Sequence, residues 1–125
     1  MKHILVVDDA ATVRMYHRKM LGDAGWTIDE AVNGLEALER VLARPAGQAY
    51  DLYVVDINMP KMDGYDFLKA LRRMPGGDRP KVVFCTTEND VAHIARALHA
   101  GANEYIMKPF DRDIVEAKFQ EVGLI

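Results

Sequence analysis

The sequence predicts an α/β fold in which five parallel strands form one sheet covered by helices on both faces. Two observations predict it. Strand-like apolar runs alternate with helix-like segments five times along the chain, which is the pattern of parallel strands joined by right-handed crossovers. The chain also has 125 residues, half of them hydrophobic, which suits one sizeable core and leaves too little for a second. We therefore expect residues 1–125 to form a single domain.

The predicted strands are short apolar runs, several of them containing β-branched residues. The first contains "ILVV" at residues 4–7 with no polar interruption, so it should be buried on both faces of the sheet. The five predicted strands are His3–Val7, Thr27–Ala31, Leu52–Val55, Val82–Cys85 and Glu104–Met107.

The predicted helices depend on apolar residues spaced three and four positions apart, because such residues share one face of a helix. The helical segments are Thr12–Leu21, Leu35–Leu42, Tyr65–Arg73, Val91–Ala100 and Arg112–Val122. The predicted buried faces comprise Val13, His17, Met20 and Leu21 in the first, Leu38, Val41 and Leu42 in the second, Leu68 and Leu71 in the third, and Val91, Ile94, Ala95 and Leu98 in the fourth. Helix ends are predicted at Gly22, Gly25 and Gly101, N-caps at Asp90 and Asp111, and a turn with a helix start at Asp63 and Gly64.

Composition argues against several classes of function. A net charge of −3 opposes non-specific binding to nucleic acid, which needs clustered Lys and Arg. No segment approaches the length of a membrane span, and the apolar part of "MKHILVV" is too short for a signal peptide. The one cysteine, Cys85, lies in the apolar run "KVVFC" and is predicted to be a buried, reduced thiol. Together these features predict a soluble cytoplasmic protein, with a monomer as the default.

Charged and hydroxyl side chains follow four of the five strands at their carboxyl ends. The residues are Asp8 and Asp9 after the first strand, Asp56 after the third, Thr86 and Thr87 after the fourth, and Lys108 after the fifth. In an open parallel sheet these ends meet at one edge, which is also where ligands bind. We therefore expect these side chains to form one site.

The charges of that site favour a bound cation. Two like charges ~4 Å apart repel by about 4 kcal/mol at an effective dielectric constant of ~20. Three carboxylates must therefore either take up protons or hold a cation. Oxygen ligands suit Mg²⁺, and the charges of three aspartates, one Mg²⁺ and one lysine cancel. An aspartate in such a site can act as the nucleophile in phosphoryl transfer.

Four motifs resemble those of two-component response-regulator receiver domains, and among these the single-domain chemotaxis type is the most similar. They are "VVDD" after the first strand, "VVDINMPKMDG" after the third, "CTT" after the fourth and "MKPF" after the fifth. The resemblance covers essentially the whole chain. It implies a flavodoxin-like (βα)5 three-layer sandwich whose parallel sheet has the strand order 2-1-3-4-5.

The resemblance also implies a role for each site residue. Asp56 would be the phosphoacceptor, taking a phosphoryl group from a sensor histidine kinase or a histidine phosphotransfer protein. Asp9 and Asp56 would bind Mg²⁺ by their carboxylates and Asn58 by its backbone carbonyl, while Asp8 would help to hold the ion through a water molecule. Lys108 would contact the phosphoryl oxygens, while Thr86 and Tyr105 would form the switch.

Three residues near this site are expected to set how long the phosphoryl group persists. Asn58 and Glu88 flank the path by which water would attack it. Thr87 departs from the family, in which Ala or Gly is usual at that position, and its β-branched side chain should narrow the access of small phosphodonors.

The implied output is a change in partner binding. The chain ends about one helix after "KPF", so we expect the receiver surface itself to bind the downstream target, which is a flagellar motor switch or another protein. The predicted partner surface near Tyr105 includes Ala97, Glu104 and Lys118. The first helix, with Arg14, His17 and Arg18, is predicted to dock the kinase. The resemblance thus implies a phosphoacceptor that assists its own phosphorylation and dephosphorylation, and not an enzyme.

Several alternatives stay open at this point. A phosphate sink and a phosphorelay intermediate would use the same site. An Mg²⁺-dependent aspartyl-phosphate phosphatase usually carries D-x-D, whereas this chain has "DIN" and lacks a substrate cap. A flavodoxin-like redox carrier would need a hydroxyl- and glycine-rich loop after the first strand, where this chain has "DDAATVR".

Overall fold

Strands and helices alternate along the chain in the computed structural model, which describes residues 3–23, 25–44, 50–57, 59, 61–74, 81–86, 95–96, 98–99, 101–107 and 117. The elements are β1 (His3–Val7), α1 (Ala11–Asp23), β2 (Thr27–Ala31), α2 (Gly34–Ala43), β3 (Leu52–Val55), α3 (Gly64–Arg73), β4 (Lys81–Thr86) and β5 (Glu104–Met107). Residues 95–96, 98–99 and 117 are also helical. The remainder of the two last predicted helices, with Asp90 and Asp111, lies outside the described residues.

The five strands form one parallel sheet in the order β2-β1-β3-β4-β5. This confirms the predicted fold class and strand order. Four strands have the predicted bounds, and β4 is one residue longer at each end. The start of β5 is anchored by Asn103, whose side-chain oxygen accepts hydrogen bonds from the backbone N–H of Val82 at 2.8 Å and from Arg72 at 3.2 Å.

Both faces of the sheet are covered by apolar side chains, so the fold has three layers. Successive residues of a strand point to opposite faces. In β1, Leu5 and Val7 join the core that includes residues of α2 and α3, whereas Ile4 and Val6 join the core that includes residues of α1. All four are fully buried, as predicted. Burying one such side chain contributes about 1.5–3 kcal/mol, and β1 supplies two of them to each core.

Helix α1 extends beyond its predicted end. Gly22 lies inside the helix, so the prediction that it ends the helix is wrong. The chain reverses at Gly25 instead, where φ is +89° and the backbone N–H donates to the carbonyl of Gly22 at 2.9 Å. Glycine adopts this left-handed conformation without the steric cost that a Cβ brings. The helix therefore continues until a left-handed residue is available.

The predicted buried faces hold for α1 and α3 and for two of the three residues predicted in α2. In α2 the inner face is formed by Gly34 and Ala37, with Leu38 and Val41 packed at its margin, and Leu42 is 72% exposed. Leu42 lies one position beyond Val41 and so is rotated about 100° out of the contact. In the fourth predicted helix, residues 95, 96, 98 and 99 are all exposed, so the burial predicted for Ala95 and Leu98 is wrong.

Side chains cap α2 and α3 at their first turns. Asn33 accepts a hydrogen bond from the backbone N–H of Glu36 at 2.9 Å, and Asp63 accepts one from that of Asp66 at 2.9 Å. Each cap satisfies an N–H that the helix itself leaves without a partner. The predicted turn and helix start at Asp63 is confirmed.

The single cysteine is buried and forms no disulfide, as predicted. Its Sγ lies 3.8 Å from Nε2 of His17, which is also buried. Nδ1 of the same imidazole lies 3.0 Å from the carbonyl oxygen of Val13, one turn earlier in α1. This contact joins α1 to β4 across the sheet face. In the part of the chain that the structure describes, no helix has both the length and the apolar character needed to cross a bilayer.

Candidate functional site

The register of the sheet brings the carboxyl ends of β1 and β3 side by side. Val7 pairs with Ala31 on one side and with Val55 on the other. The next residue of each inner strand is an aspartate, and its backbone continues the ladder. The N–H of Asp56 donates to the carbonyl of Val7 at 2.8 Å, and that of Asp8 donates to Ala31 at 3.1 Å. Two acids thus lie one residue beyond the same row of the sheet.

Three carboxylates meet at this edge. Asp8, Asp9 and Asp56 each offer an oxygen, and these oxygens all lie within 4.8 Å of one another. Asp8 is 2% exposed and Asp56 is 8% exposed, whereas Asp9 faces solvent. The predicted convergence of the three acids is therefore observed. Two of them are buried beside each other, so their mutual repulsion is weakly screened by water.

The spacing of these oxygens suits a small hard cation. Mg²⁺ binds oxygens at ~2.0–2.1 Å in octahedral geometry, which puts its ligands about 3 to 4 Å apart, and it usually keeps several waters. The carboxylates need to move little to reach that spacing. Within the described residues this is also the single cluster of three or more acids, histidines or cysteines that could hold an ion.

Hydrogen bonds hold both the side chain and the backbone of Asp8. Its Oδ1 accepts a hydrogen bond from the N–H of Ala10 at 2.9 Å, and its N–H is bonded to β2 at Ala31. Its carbonyl oxygen accepts a hydrogen bond of 2.7 Å from Nη1 of Arg14. The same guanidinium pairs with Glu30 of β2, with 3.1 Å between Nε and Oε1. The sequence prediction missed this contact, since it assigns Arg14 to kinase docking.

The backbone around Asp56 is held by the start of α3. Gly64 donates its N–H to the carbonyl of Ile57 at 2.9 Å. A Cβ at Gly64 would lie 2.5 Å from the carbonyl oxygen of Asp56 and 3.0 Å from Cα of Ile57. Only glycine allows this approach, because both atoms belong to the backbone. The sequence signal is the "DG" pair after the third strand, which by itself predicts only a turn and a helix start.

The structure places the backbone of two further predicted residues. Thr86 ends β4 and pairs with Met107, the last residue of β5, while Tyr105 pairs with Phe84. Thr86 therefore ends its strand at the same edge of the sheet as the aspartates. Four predicted site residues lie outside the described residues: Asn58, Thr87, Glu88 and Lys108. Their assigned roles stay predictions.

Comparison with known proteins places this site in a family. Residues 4–120 match the model of the response regulator receiver domain. The chain belongs to this family. Its motifs, its strand order and its cluster of three aspartates thus belong to a receiver domain of a two-component response regulator.

The receiver domain is similar to chemotaxis proteins over nearly its whole length. It is 35% identical to the chemotaxis protein CheY of Thermotoga maritima over 118 residues, 93% of each chain. It is 34% identical to the chemotaxis protein CheY1 of Helicobacter pylori over 120 residues, 95% of this chain and 94% of that one. Among solved structures, chemotaxis protein CheY4 of Vibrio cholerae matches with a TM-score of 0.88 and 30% identity, covering 98% of both chains.

Proposed function

We propose that this receiver domain is a phosphorylation switch that accepts a phosphoryl group on Asp56 and changes partner binding in response. The observation that carries the proposal is the meeting of Asp8, Asp9 and Asp56 at the carboxyl edge of the sheet. The donor would be a phosphohistidine of a sensor kinase or of a histidine phosphotransfer protein. The domain would act in the cytoplasm as a monomer.

The proposed chemistry uses Asp56 as the nucleophile. A carboxylate oxygen of Asp56 attacks phosphorus, the phosphorus–nitrogen bond of the donor breaks, and the imidazole leaves with that electron pair. An acyl phosphate forms on Asp56. Mg²⁺ held by Asp8, Asp9 and Asp56, with the carbonyl of Asn58, would supply the positive charge that stabilises the transferring oxygens. The burial of Asp56 limits the access of water to the product.

The remaining roles follow from the family. Lys108 would pair with the phosphoryl oxygens, and the hydroxyl of Thr86 would turn toward them. Asn58, Thr87 and Glu88 would set the lifetime of the acyl phosphate by controlling the approach of water. Because the protein is consumed and restored in this cycle, it would act as a switch and not as an enzyme with a separate substrate.

The phosphoryl group is proposed to act on the surface around β5. Its added charge can shift a conformational equilibrium only if the two states contact it differently, and Thr86 with Tyr105 is the proposed pair. Similarity to chemotaxis proteins favours a chemotaxis pathway with a flagellar motor switch as target. A phosphate sink and a relay intermediate are the alternatives. Of the proposed partner surface, Ala97 and Lys118 lie outside the described residues.

The structure corrects the proposed kinase-docking surface on α1. His17 is buried in the core against Cys85, so it cannot contact a kinase. Arg14 and Arg18 both pair with Glu30. The exposed apolar side chains of this helix are Met15 and Tyr16. Docking on α1 would therefore use exposed side chains such as these two and that of Arg18, which is 52% exposed, and not His17.

Labelling with acetyl phosphate tests the proposal. With Mg²⁺ present, intact-protein mass spectrometry should detect one added phosphoryl group on the wild type and none on Asp56→Asn. Asp63→Asn is the matched control, since it removes an acid from the same segment while asparagine preserves the N-cap of α3. It should label like the wild type. Labelling of Asp56→Asn at the wild-type level would contradict the assignment of Asp56.

A further inference from the structure

Two arginines of α1 share one carboxylate of β2 but differ in a single contact. Glu30 accepts Nε of Arg14 on Oε1 at 3.1 Å and Nε of Arg18 on Oε2 at 2.8 Å. Four residues separate the arginines, so they lie on the same face of α1. Arg14 alone also donates Nη1 to the carbonyl oxygen of Asp8, at 2.7 Å. Its side chain is 15% exposed, against 52% for Arg18.

The contacted carbonyl belongs to the peptide unit that joins the two adjacent acids of the site. A peptide unit is planar, so the carbonyl of Asp8 and the N–H of Asp9 turn together. Holding this carbonyl against Arg14 fixes the plane that sets the direction of Asp9 relative to Asp8. The side chain of Asp8 is separately fixed by the N–H of Ala10 at 2.9 Å. The two acids are thereby oriented before any cation arrives.

The charge of Arg14 by itself would weaken the binding of Mg²⁺, because a guanidinium beside the site repels a divalent cation. Glu30 offsets that charge while it holds the guanidinium in place. The planar fork of arginine serves both contacts at once, with Nε on Glu30 and Nη1 on Asp8. Lysine keeps the charge but has a single ammonium group, which cannot occupy both positions.

We propose that Arg14 is a positioning residue for magnesium binding, which holds the Asp8–Asp9 peptide so that both carboxylates face the ion. This inference rests on the proposed function, since it requires that the three aspartates bind Mg²⁺. It assigns Arg14 to the site itself and leaves Arg18, which touches Glu30 but not Asp8, as a purely structural partner.

Calorimetric titration of Mg²⁺ into the full chain without a phosphodonor tests the proposal, with Arg14→Lys and Arg18→Lys as a matched pair. Both substitutions keep the charge, so a difference between them cannot come from net electrostatics. Arg14→Lys should weaken Mg²⁺ binding by about 10-fold or more, as is typical when a group that orients a metal ligand is removed. Arg18→Lys should stay within about twofold of the wild type, since it alters only a partly exposed ion pair.

Melting temperatures measured in EDTA separate positioning from general stability. Both variants should still unfold in one cooperative transition without Mg²⁺, with Arg14→Lys melting lower than Arg18→Lys, because it loses the hydrogen bond to Asp8 as well as the contact with Glu30. Positioning predicts that the stabilisation gained on adding Mg²⁺ is also smaller in Arg14→Lys than in Arg18→Lys. Wild-type affinity in Arg14→Lys, or an equal loss in both variants, would overturn the role of Arg14. Absence of Mg²⁺ uptake by the wild type would instead overturn the proposed function.

A second pair covers the case in which Arg14→Lys does not fold. Arg14→Gln and Arg18→Gln remove the charge as well as the fork. If Arg14 acted only through its charge, its loss would tighten Mg²⁺ binding. Positioning predicts weaker binding in Arg14→Gln than in Arg18→Gln, and tighter binding would contradict it.

Discussion

Asp56 is surrounded so closely by backbone that one neighbouring residue, Gly64, cannot carry a side chain. A Cβ on Gly64 would lie only 2.5 Å from the carbonyl oxygen of Asp56 itself. Relief of this contact requires α3 or the Asp56 peptide to move, since no flexible side chain can yield. The position of the predicted phosphoacceptor and the start of α3 are therefore coupled at a single glycine.

Substitution of Gly64 should test this coupling. We expect Gly64→Ala to lower the free energy of unfolding by about 1–3 kcal/mol, the usual cost of forcing extra volume into a packed region. Gly22→Ala is the control, because a Cβ there meets nothing within 4 Å and the residue lies inside α1. It should raise stability by up to about 1 kcal/mol. Urea unfolding measures both, and an unchanged stability of Gly64→Ala would contradict the predicted crowding.

The contacts that orient the acids could not be predicted from the sequence at this scale. Acids at strand ends can be located from apolar periodicity, because parallel strands end at a common edge. The hydrogen bond between Arg14 and Asp8 depends on how α1 is rotated over β2, and the approach of Gly64 depends on a loop path. The spacing of residues along the chain does not determine either of these.

Among the secondary-structure elements, the end of α2 and the segment that precedes β3 are held to β2 by contacts around Asp29. Tyr50 donates its hydroxyl to Oδ2 of Asp29 at 2.6 Å, and the Arg44 guanidinium lies over the Tyr50 ring at 4.7 Å. Burial, reinforced by the hydrogen bond to Asp29, raises the pKa of Tyr50 well above its ordinary value near 10. Burial likewise raises the pKa of Tyr53 to about 12.

The raised pKa values of Tyr50 and Tyr53 predict a loss of stability at alkaline pH. Below pH ~10 the phenols are protonated in both states, so their contribution is fully present. As pH rises further, the unfolded chain releases these protons while the folded chain retains them. Stability should then fall by about 1.4 kcal/mol per pH unit for each group, until the folded pKa is reached. Urea unfolding between about pH 9 and 11 should show a smaller fall in Tyr50→Phe. An identical fall in the free energy of unfolding of the wild type and of Tyr50→Phe would contradict the raised pKa of Tyr50.

The elements themselves were largely predictable, and the errors have a common cause. All five strands were located from their short apolar or β-branched runs. The inner strands β1 and β3 are almost wholly apolar because they are buried on both faces, whereas the edge strand β2 carries Asp29 and Glu30. The order of the strands came with the family resemblance and not from alternation, which several orders satisfy. Leu42 was misplaced because apolar residues at adjacent helical positions do not reveal which of them faces the sheet.

In the whole molecule, the parallel sheet brings residues that are distant in sequence to one edge. Asp8 and Asp56 lie 48 positions apart in sequence, yet their strands are neighbours and end at paired residues. The three acids should act together, so the loss of Asp9 should impair chemistry at Asp56. Asp9 is exposed and outside the core, so its replacement leaves the packing of the fold intact.

The most direct test is the phosphoryl occupancy of Asp56 measured against Mg²⁺ concentration, with acetyl phosphate as donor and fragment mass spectrometry to locate the label. Occupancy of Asp56 in the wild type should rise with Mg²⁺ concentration and then saturate. Asp9→Asn should need at least about tenfold more Mg²⁺, as expected for loss of a charged ligand. Labelling that is independent of Mg²⁺, that falls on another residue, or that is unchanged in Asp9→Asn would contradict a single magnesium and phosphoacceptor site.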